Sequence, residues 1–243
     1  MVWLSNVPIR HLYRNVLRRG GCTIDTDDPV VTPWVRTLIF WGFYERPERR
    51  FVKQYLSATQ DVVELGGSIG VVSAQIGKRL EAGRRLVVVE ANPRSMRLLE
   101  ANAKTNAPDL RVTVVHAALA RTQGPIEIAF GESTLAAWIN DSSSAHRNVS
   151  RVPGTTLSRL LCEQQIGEYA LVSDVEGAEA GLFLFDSAAL ARCTLMIIEL
   201  HATRVEGRTL AVDDLQRIAT EQLDFSLIDR NRDVFVFQKR PSS

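Results

Sequence analysis

The stretch "DVVELGGSIGVVSAQIG", residues 61–77, decides how the rest of the chain is read. An apolar run from Asp61 to Leu65 meets a glycine turn, and Val71, Val72, Ala74, Gln75, Ile76 and Leu80 follow at helical spacing. Strand, glycine turn and helix open a nucleotide-type cofactor site in an α/β sheet, because such sheets bind ligands beyond the carboxyl ends of their strands. Gly66, Gly67 and Gly70 read G-G-x-x-G, which departs from the G-x-G-x-x-G of a dinucleotide turn. They are expected to let a ligand lie almost against the main chain, where a Cβ would collide.

Working outward, strands and helices alternate. "RLVVVE" reads as a second buried strand and "NPRSMRLLEANAKTNA" as a second helix. Asn92 stands where its N-cap belongs, and Pro93 takes the first helical position. "LRVTVVH" is a third strand and "PIEIAF" a short further segment, while periodicity assigns nothing to the polar tract from Gly131 to Gly154. "TTLSRLLCEQ" is a helix capped by Thr156 or its neighbour. "YALVSD" and "CTLMIIELH" are two more apolar strands around the helix "AEAGLFLF". A helix from Val212 to Glu221 precedes "FSLID" and "VFVFQK", joined by "RNRD" as a hairpin. The alternation implies an α/β fold, a mostly parallel sheet with helices on both faces, whose last strand turns antiparallel. That is the seven-stranded, Rossmann-like arrangement of class I methyltransferases, with its terminal β-hairpin.

The bulk numbers agree with one globular domain carrying a modest extension: 243 residues, 45% hydrophobic and 23% charged. A net charge of +1 offers no basic stripe, so no nucleic-acid partner is expected. Cys22, Cys162 and Cys193 are odd in number and widely spaced, which argues against a disulfide framework and for a reducing, cytoplasmic setting. No apolar run approaches the roughly 18–20 residues of a membrane-spanning helix. Arg10, Arg14, Arg18 and Arg19 precede Gly20 with no carboxylate among them, and Val7, Leu12, Tyr13, Val16 and Leu17 can form the apolar stripe of one short helix. Residues 1–45 are therefore expected to be a helical extension or cap, with at most weak, salt-sensitive attraction to an anionic membrane.

Charge sign separates the candidate cofactors. Glu64 sits just before the glycine turn, where a carboxylate attracts the ammonium or sulfonium end of S-adenosylmethionine and repels a pyrophosphate. Glu90 closes the second strand, about 20 residues beyond the turn, where an acid accepts hydrogen bonds from ribose hydroxyls. NAD and S-adenosylmethionine share that ribose, so Glu90 alone does not separate them. Ser68 in the turn and Ala91 and Asn92 after Glu90 join the candidate cofactor set, and Ala117, with Ala118, leaves room for an adenine edge. His116 reads as a strand-end residue, and Tyr44 and Glu45 are placed to close over the cofactor.

A family resemblance accompanies these residues. "WGFYERPE", "VVELGGSIGVVSAQIG", "VVVEANP", "VVHAALA", "LVSDVEGAEAGLF" and "MIIELH", in that order, resemble the FkbM-type methyltransferase domain over roughly Trp41 to His201. Its most specific part is Asp174-Val175-Glu176-Gly177-Ala178-Glu179, followed one strand later by Glu199-Leu200-His201. The resemblance implies an S-adenosylmethionine-dependent enzyme over residues 46–243, mostly O-methylating sugars, glycans or polyketide-like products. The family commonly has Asp where this chain has Glu64, and Ala-Asn where it has Gly67-Ser68. Ser173 also replaces its usual Lys-Ile context, and residues 131–154 and the first forty have no clear counterpart.

Methyl transfer requires little covalent help, but a hydroxyl acceptor must lose its proton. A general base typically contributes about 10²–10⁴ in rate, and an imidazole of ordinary pKa suits that task near neutrality. His201, ending its strand above the cofactor turn, is the first choice; Asp174 on the same rim is the second, and Glu176 completes the catalytic set. Asp174 also belongs with the cofactor-binding residues. The same groups, Asp174, Glu176, Glu199 and His201, can instead hold a divalent cation, with a donor set that suits Mg²⁺ or Mn²⁺ better than zinc. Glu179 reads as an early-helix acid facing the helix dipole. Two rival readings stand beside the enzyme: a non-catalytic module that binds S-adenosylmethionine, and a nicotinamide-dependent reductase.

Overall fold

The computed structural model describes residues 15–130, 137–139 and 148–241. Val16–Arg19 (β1) and Cys22–Asp25 (β2) form an antiparallel hairpin. Helices Pro33–Trp41 (α1) and Arg46–Tyr55 (α2) follow. The main alternation then runs Asp61–Leu65 (β3), Val71–Gly77 (α3), Arg85–Glu90 (β4), Met96–Asn106 (α4) and Arg111–His116 (β5). Ala118–Leu119 (β6), Gly124–Phe130 (β7), Ala137–Ile139 (β8) and Asn148–Thr155 (β9) make a separate four-stranded sheet in the order β6-β9-β7-β8. Leu157–Glu163 (α5), Tyr169–Ser173 (β10), Glu179–Phe185 (α6), a 3₁₀ turn at Ser187–Arg192 and Cys193–Glu199 (β11) return to the main sheet. A small hairpin, Thr203–Val205 (β12) and Arg208–Leu210 (β13), precedes Val212–Glu221 (α7), Phe225–Asn231 (β14) and Val234–Lys239 (β15).

The main sheet has seven strands in the order β14-β15-β11-β10-β3-β4-β5. β5, β4, β3, β10 and β11 pair in parallel, while β15 pairs antiparallel with both β11 and β14. Strand order and the single reversed strand are those of the class I methyltransferase fold, as the alternation and terminal hairpin implied. The chain leaves β3 toward β4 and β5 on one side and returns to β10 on the other, so the switch point lies between β3 and β10. Register then sets the rim: Leu65 pairs with Val89 and with Ser173, and Ser173 pairs with Ile198. Gly66, Glu90, Asp174 and Glu199 consequently stand side by side at the carboxyl edge.

Alternation along the strands divides the core into two layers. Val63, Leu65, Val87, Val89, Leu171, Met196, Ile198, Phe235 and Phe237 pack with Leu160 of α5, Leu182 of α6 and Leu215 of α7. Val62, Leu86, Val88, Ala170, Val172, Leu195, Ile197, Val234 and Val236 pack with Phe51 of α2, Val72 and Ile76 of α3 and Leu99 of α4. Burial on both faces explains why these strands read as continuous apolar runs.

Two sequence expectations change here. Val16 and Leu17 lie in a strand and not on a helical stripe, because Gly20 and Gly21, at φ 59° and 86°, fold the chain back on itself. Residues 1–14, with Arg10, Arg14 and the remaining apolar positions of that stripe, lie outside the described residues. The hairpin is fastened to the core by two amides: Asn102 bonds both N–H and C=O of Asp25, and Asn106 does the same for Thr23. Second, Asn92 does not cap α4, which begins four residues later, at Met96, with Ser95 in the cap position. Its own N–H donates to Glu90 at 2.6 Å and its side chain accepts from Arg94, so the residue closes a turn before the helix. By contrast Thr156 caps α5 as expected, accepting from the Arg159 N–H. The three cysteines are unpaired, and no helix among the described residues is long and apolar enough to cross a membrane.

Candidate active site

The glycine turn is dictated first by chain against chain. A Cβ on Gly66, which sits at φ 87°, would lie 1.8 Å from the Asp174 carbonyl oxygen, and one on Gly67 would lie 2.3 Å from Val88 Cγ1. The switch-point strands approach so closely that no side chain fits, whether or not a ligand lies above them. Gly70 serves the packing of α3 on α4, with Asn102 and Leu99 at 3.0–3.1 Å from its ideal Cβ.

Glu90 ties this turn to the next strand. Its carboxylate accepts from the Ser68 N–H at 2.7 Å and from the Asn92 N–H at 2.6 Å, holding Ser68 at φ 48°. Burial pushes its pKa up to about 7 against the pull of the Asn92, Ser68 and Ala91 N–H groups. A carboxylate offers about four acceptor sites and these three N–H groups take at most three, leaving acceptor capacity for ligand hydroxyls. Ala117 and Ala118 are buried beside it, and His116 Nε2 lies 3.2 Å from the Ala91 carbonyl at the strand end.

Glu64 does not face the open rim. One-residue alternation turns it to the α3 side, where it is 2% exposed and accepts the Ser73 hydroxyl at 2.6 Å. Burial raises its pKa to about 8. The acidic rim is instead made by Glu45, Glu48, Asp174, Glu176 and Glu199. Glu45 and Glu48 begin α2, with Glu45 at φ 46°, and Tyr44 lies over the glycine turn with its hydroxyl 3.2 Å from Ser68 Oγ. Glu45 Oε2, Glu48 Oε2 and Asp174 Oδ1 are all sealed from solvent with no hydrogen-bond partner. Burial and then the neighbouring acids hold Glu45 and Asp174 well above the usual carboxylate range. Burial also lifts Glu48 to about 7, with Glu199 adding to the effect. Sequence reading missed Glu48; its signal was the i, i+3 spacing from Glu45 at a helix start.

Asp174-Val175-Glu176-Gly177 turns sharply after β10, with Glu176 and Gly177 at φ 51° and 102°. Glu179, fully buried, clamps the turn by accepting from the Val175 and Gly177 N–H groups at 3.1 and 2.9 Å. Its Oε1 also lies 3.2 Å from His201 Nδ1. With Nδ1–H donating to Glu179, Nε2 is aimed at the rim, 3.6 Å from Glu176 and 3.9 Å from both Asp174 and Glu199. Burial alone would depress this imidazole, but Glu179, Asp174 and Glu176 outweigh it and raise its pKa to about 9. Donor atoms of Asp174, Glu176 and His201 lie within 4.8 Å of one another, so three of the four candidate cation ligands converge, while Glu199 engages Glu48.

No protein-family model matches the sequence, and no curated protein does. Among solved structures, a magnesium protoporphyrin IX methyltransferase from Synechocystis PCC 6803 with bound S-adenosylmethionine superposes with a TM-score of 0.48 at 10% identity, over 98% of this chain and 97% of that one. A ribosomal protein L11 methylase from Lactobacillus delbrueckii subsp. bulgaricus gives 0.47 at 9% identity, over 81% and 78%. An uncharacterised protein from Listeria monocytogenes serotype 4b gives 0.48 at 10%, over 80% and 67%. At those levels a functional reading must come from this chain's own residues.

Proposed function

We propose that the chain is an S-adenosylmethionine-dependent methyltransferase acting on a hydroxyl of a small-molecule or glycan acceptor. The observation that carries this is the set of sealed, unpartnered carboxylate oxygens on Glu45, Glu48 and Asp174 beside the glycine turn. A buried polar atom without a partner is expensive, and these three fit a cationic group that brings N–H donors; a pyrophosphate placed there would meet like charge. The S-adenosylmethionine the site fits supplies a methyl group on a positively charged sulfur, and that charge matches the rim's sign.

Each residue then has a task. Glu90, already fixed by Ser68 and Asn92, accepts ribose hydroxyls, and Ala91, Ala117 and Ala118 leave the base side unencumbered. Glu45, Glu48 and Asp174 receive the ammonium end, and Tyr44 covers the turn. His201 Nε2 takes the acceptor hydroxyl's proton as the oxygen gains the methyl group, while Glu179 holds Nδ1 so that the free nitrogen points at the rim. A pKa of about 9 means that the ligand-free imidazole is protonated near neutrality. A bound cation opposes that protonation and so frees the base when the cofactor is in place.

Thermal shift and calorimetry with S-adenosylmethionine, S-adenosylhomocysteine, NAD and NADP test the reading. Stabilisation by the first two alone is expected. Binding of either dinucleotide with no response to S-adenosylmethionine overturns it in favour of the reductase. Cofactor binding without methyl transfer to any acceptor would leave only the non-catalytic module, and an unchanged rate in His201→Ala would reject His201 as the base.

A further inference from the structure

A cavity of about 450 Å³ opens directly beside Glu176, between α6, the β12–β13 hairpin and the segment after β6. Its walls include Leu119, Arg121, Gly177, Gly181, Phe185 and Val205. That volume falls within the range of small-molecule sites and suits a body of two or three fused rings. Glu176 lines the cavity and lies 3.6 Å from His201 Nε2, so a single carboxylate side chain separates a ligand filling it from the imidazole.

Gly181 is the telling residue. It lies inside helix α6, where glycine is the least favourable residue after proline. Its φ is unremarkable for a helix, and a Cβ built on it meets nothing nearer than Arg121 Cγ at 4.0 Å. The fold therefore has no need of glycine here, whereas the cavity does: any side chain would project into it. One turn further along the same helix face, the Arg121 guanidinium lies 3.4 Å from the Phe185 ring centroid and pairs at 2.9 Å with Glu206 in the hairpin turn. Both partners of that pair are largely exposed, so it is weak and opens readily. The bare Gly181 and the stacked Arg121–Phe185 pair make one flat wall of a slot whose other side is the hairpin, and Leu119 and Val205 share its lining with Thr203, Arg204 and Asp186.

We propose that this slot is the acceptor subsite and that it takes a hydroxyl-bearing molecule with a flat, apolar ring body, in preference to a free sugar. The assignment rests on the methyl-transfer reading, since the slot gains its meaning from the imidazole that Glu176 adjoins. The probe is 7-hydroxycoumarin, a flat fused-ring phenol followed by fluorescence, titrated into full-length protein saturated with S-adenosylhomocysteine. One site is expected, not displaced by excess methyl α-glucoside. Gly181→Phe should weaken it at least tenfold while leaving S-adenosylhomocysteine affinity by calorimetry at the wild-type value. Val205→Phe, which fills the slot from the hairpin side, gives the same outcome should Gly181→Phe fold poorly, and Gly181→Ala should raise the melting temperature. Unchanged coumarin binding in both filled variants, or binding of the glucoside in place of the coumarin, overturns the slot. Absence of S-adenosylhomocysteine affinity in wild-type protein sinks the methyltransferase reading instead, a separate result seen before any coumarin is added.

Discussion

The glycine turn and the acidic rim lie side by side at the same sheet edge, yet they are built in opposite ways. In the turn every group has its partner: Gly66 and Gly67 fit where no Cβ can, and Glu90 accepts two backbone N–H groups. In the rim, Glu45, Glu48 and Asp174 each keep a sealed oxygen with no hydrogen-bond partner, and burial raises their pKa values as it raises that of Glu90. The first is a rigid frame that stabilises the fold by itself. The second is a set of desolvated carboxyls that hold their protons more tightly than ordinary acids, and a positive ligand favours their ionised form. Changes to the frame should therefore act on stability, and changes to the rim on binding and rate.

The largest effect tests the frame. Gly66→Ala drives a methyl group into the Asp174 carbonyl and should destabilise the protein by on the order of 4 kcal/mol, read by urea unfolding. A mild loss would mean that the strands can part and that the frame is softer than its contacts imply. Next, His201→Ala should lower turnover by about 10²–10⁴ with cofactor affinity retained. In wild-type protein kcat/KM should climb with pH toward about 9, because the proton on Nε2 must first leave. A profile flat across that range would move the base to Asp174.

A smaller effect concerns pH. Glu48 and Glu64 have folded pKa values of about 7 and 8, above the ordinary 4.5, so the folded state binds more protons than the unfolded one between those limits. Their contribution to stability is full below pH 4.5 and is lost as pH rises through 7 and 8. Glu48→Gln should raise the ligand-free melting temperature near pH 8, flatten its fall with pH, and weaken S-adenosylmethionine by roughly tenfold, about 1.4 kcal/mol. A variant both less stable and equally tight in binding would reverse the roles assigned to frame and rim. The smallest effect expected is that of EDTA, which should leave activity whole; a loss restored by Mg²⁺ would turn Asp174, Glu176 and His201 into cation ligands.

Much of this was legible in the chain. Strand and helix limits from Asp61 to Glu90 follow from uninterrupted apolar runs ended by glycine or acid. Thr156 as a cap and the hairpin around Arg232 follow from local chemistry that neighbours in sequence supply. Asn92 misled because an N-cap pattern is also a turn pattern, and only the spatial neighbour Glu90 decides between them. Val16 and Leu17 misled because so short an apolar pair fits a strand as well as a helix. Glu48, Gly181 and the β12–β13 hairpin went unseen, since each matters through residues distant in sequence.

By itself the sequence determined the alternation of strands and helices, the reversed last strand, and the presence of acids after β4 and β10, because period and turn chemistry are properties of neighbouring residues. Tertiary structure alone decided which acids share the rim. Strand pleating sends Glu64 inward under α3, register brings Asp174 and Glu199 to the edge, and packing of α2 delivers Glu45 and Glu48. Charge and burial at a site are sums over groups far apart in the chain, and folding is what performs the sum.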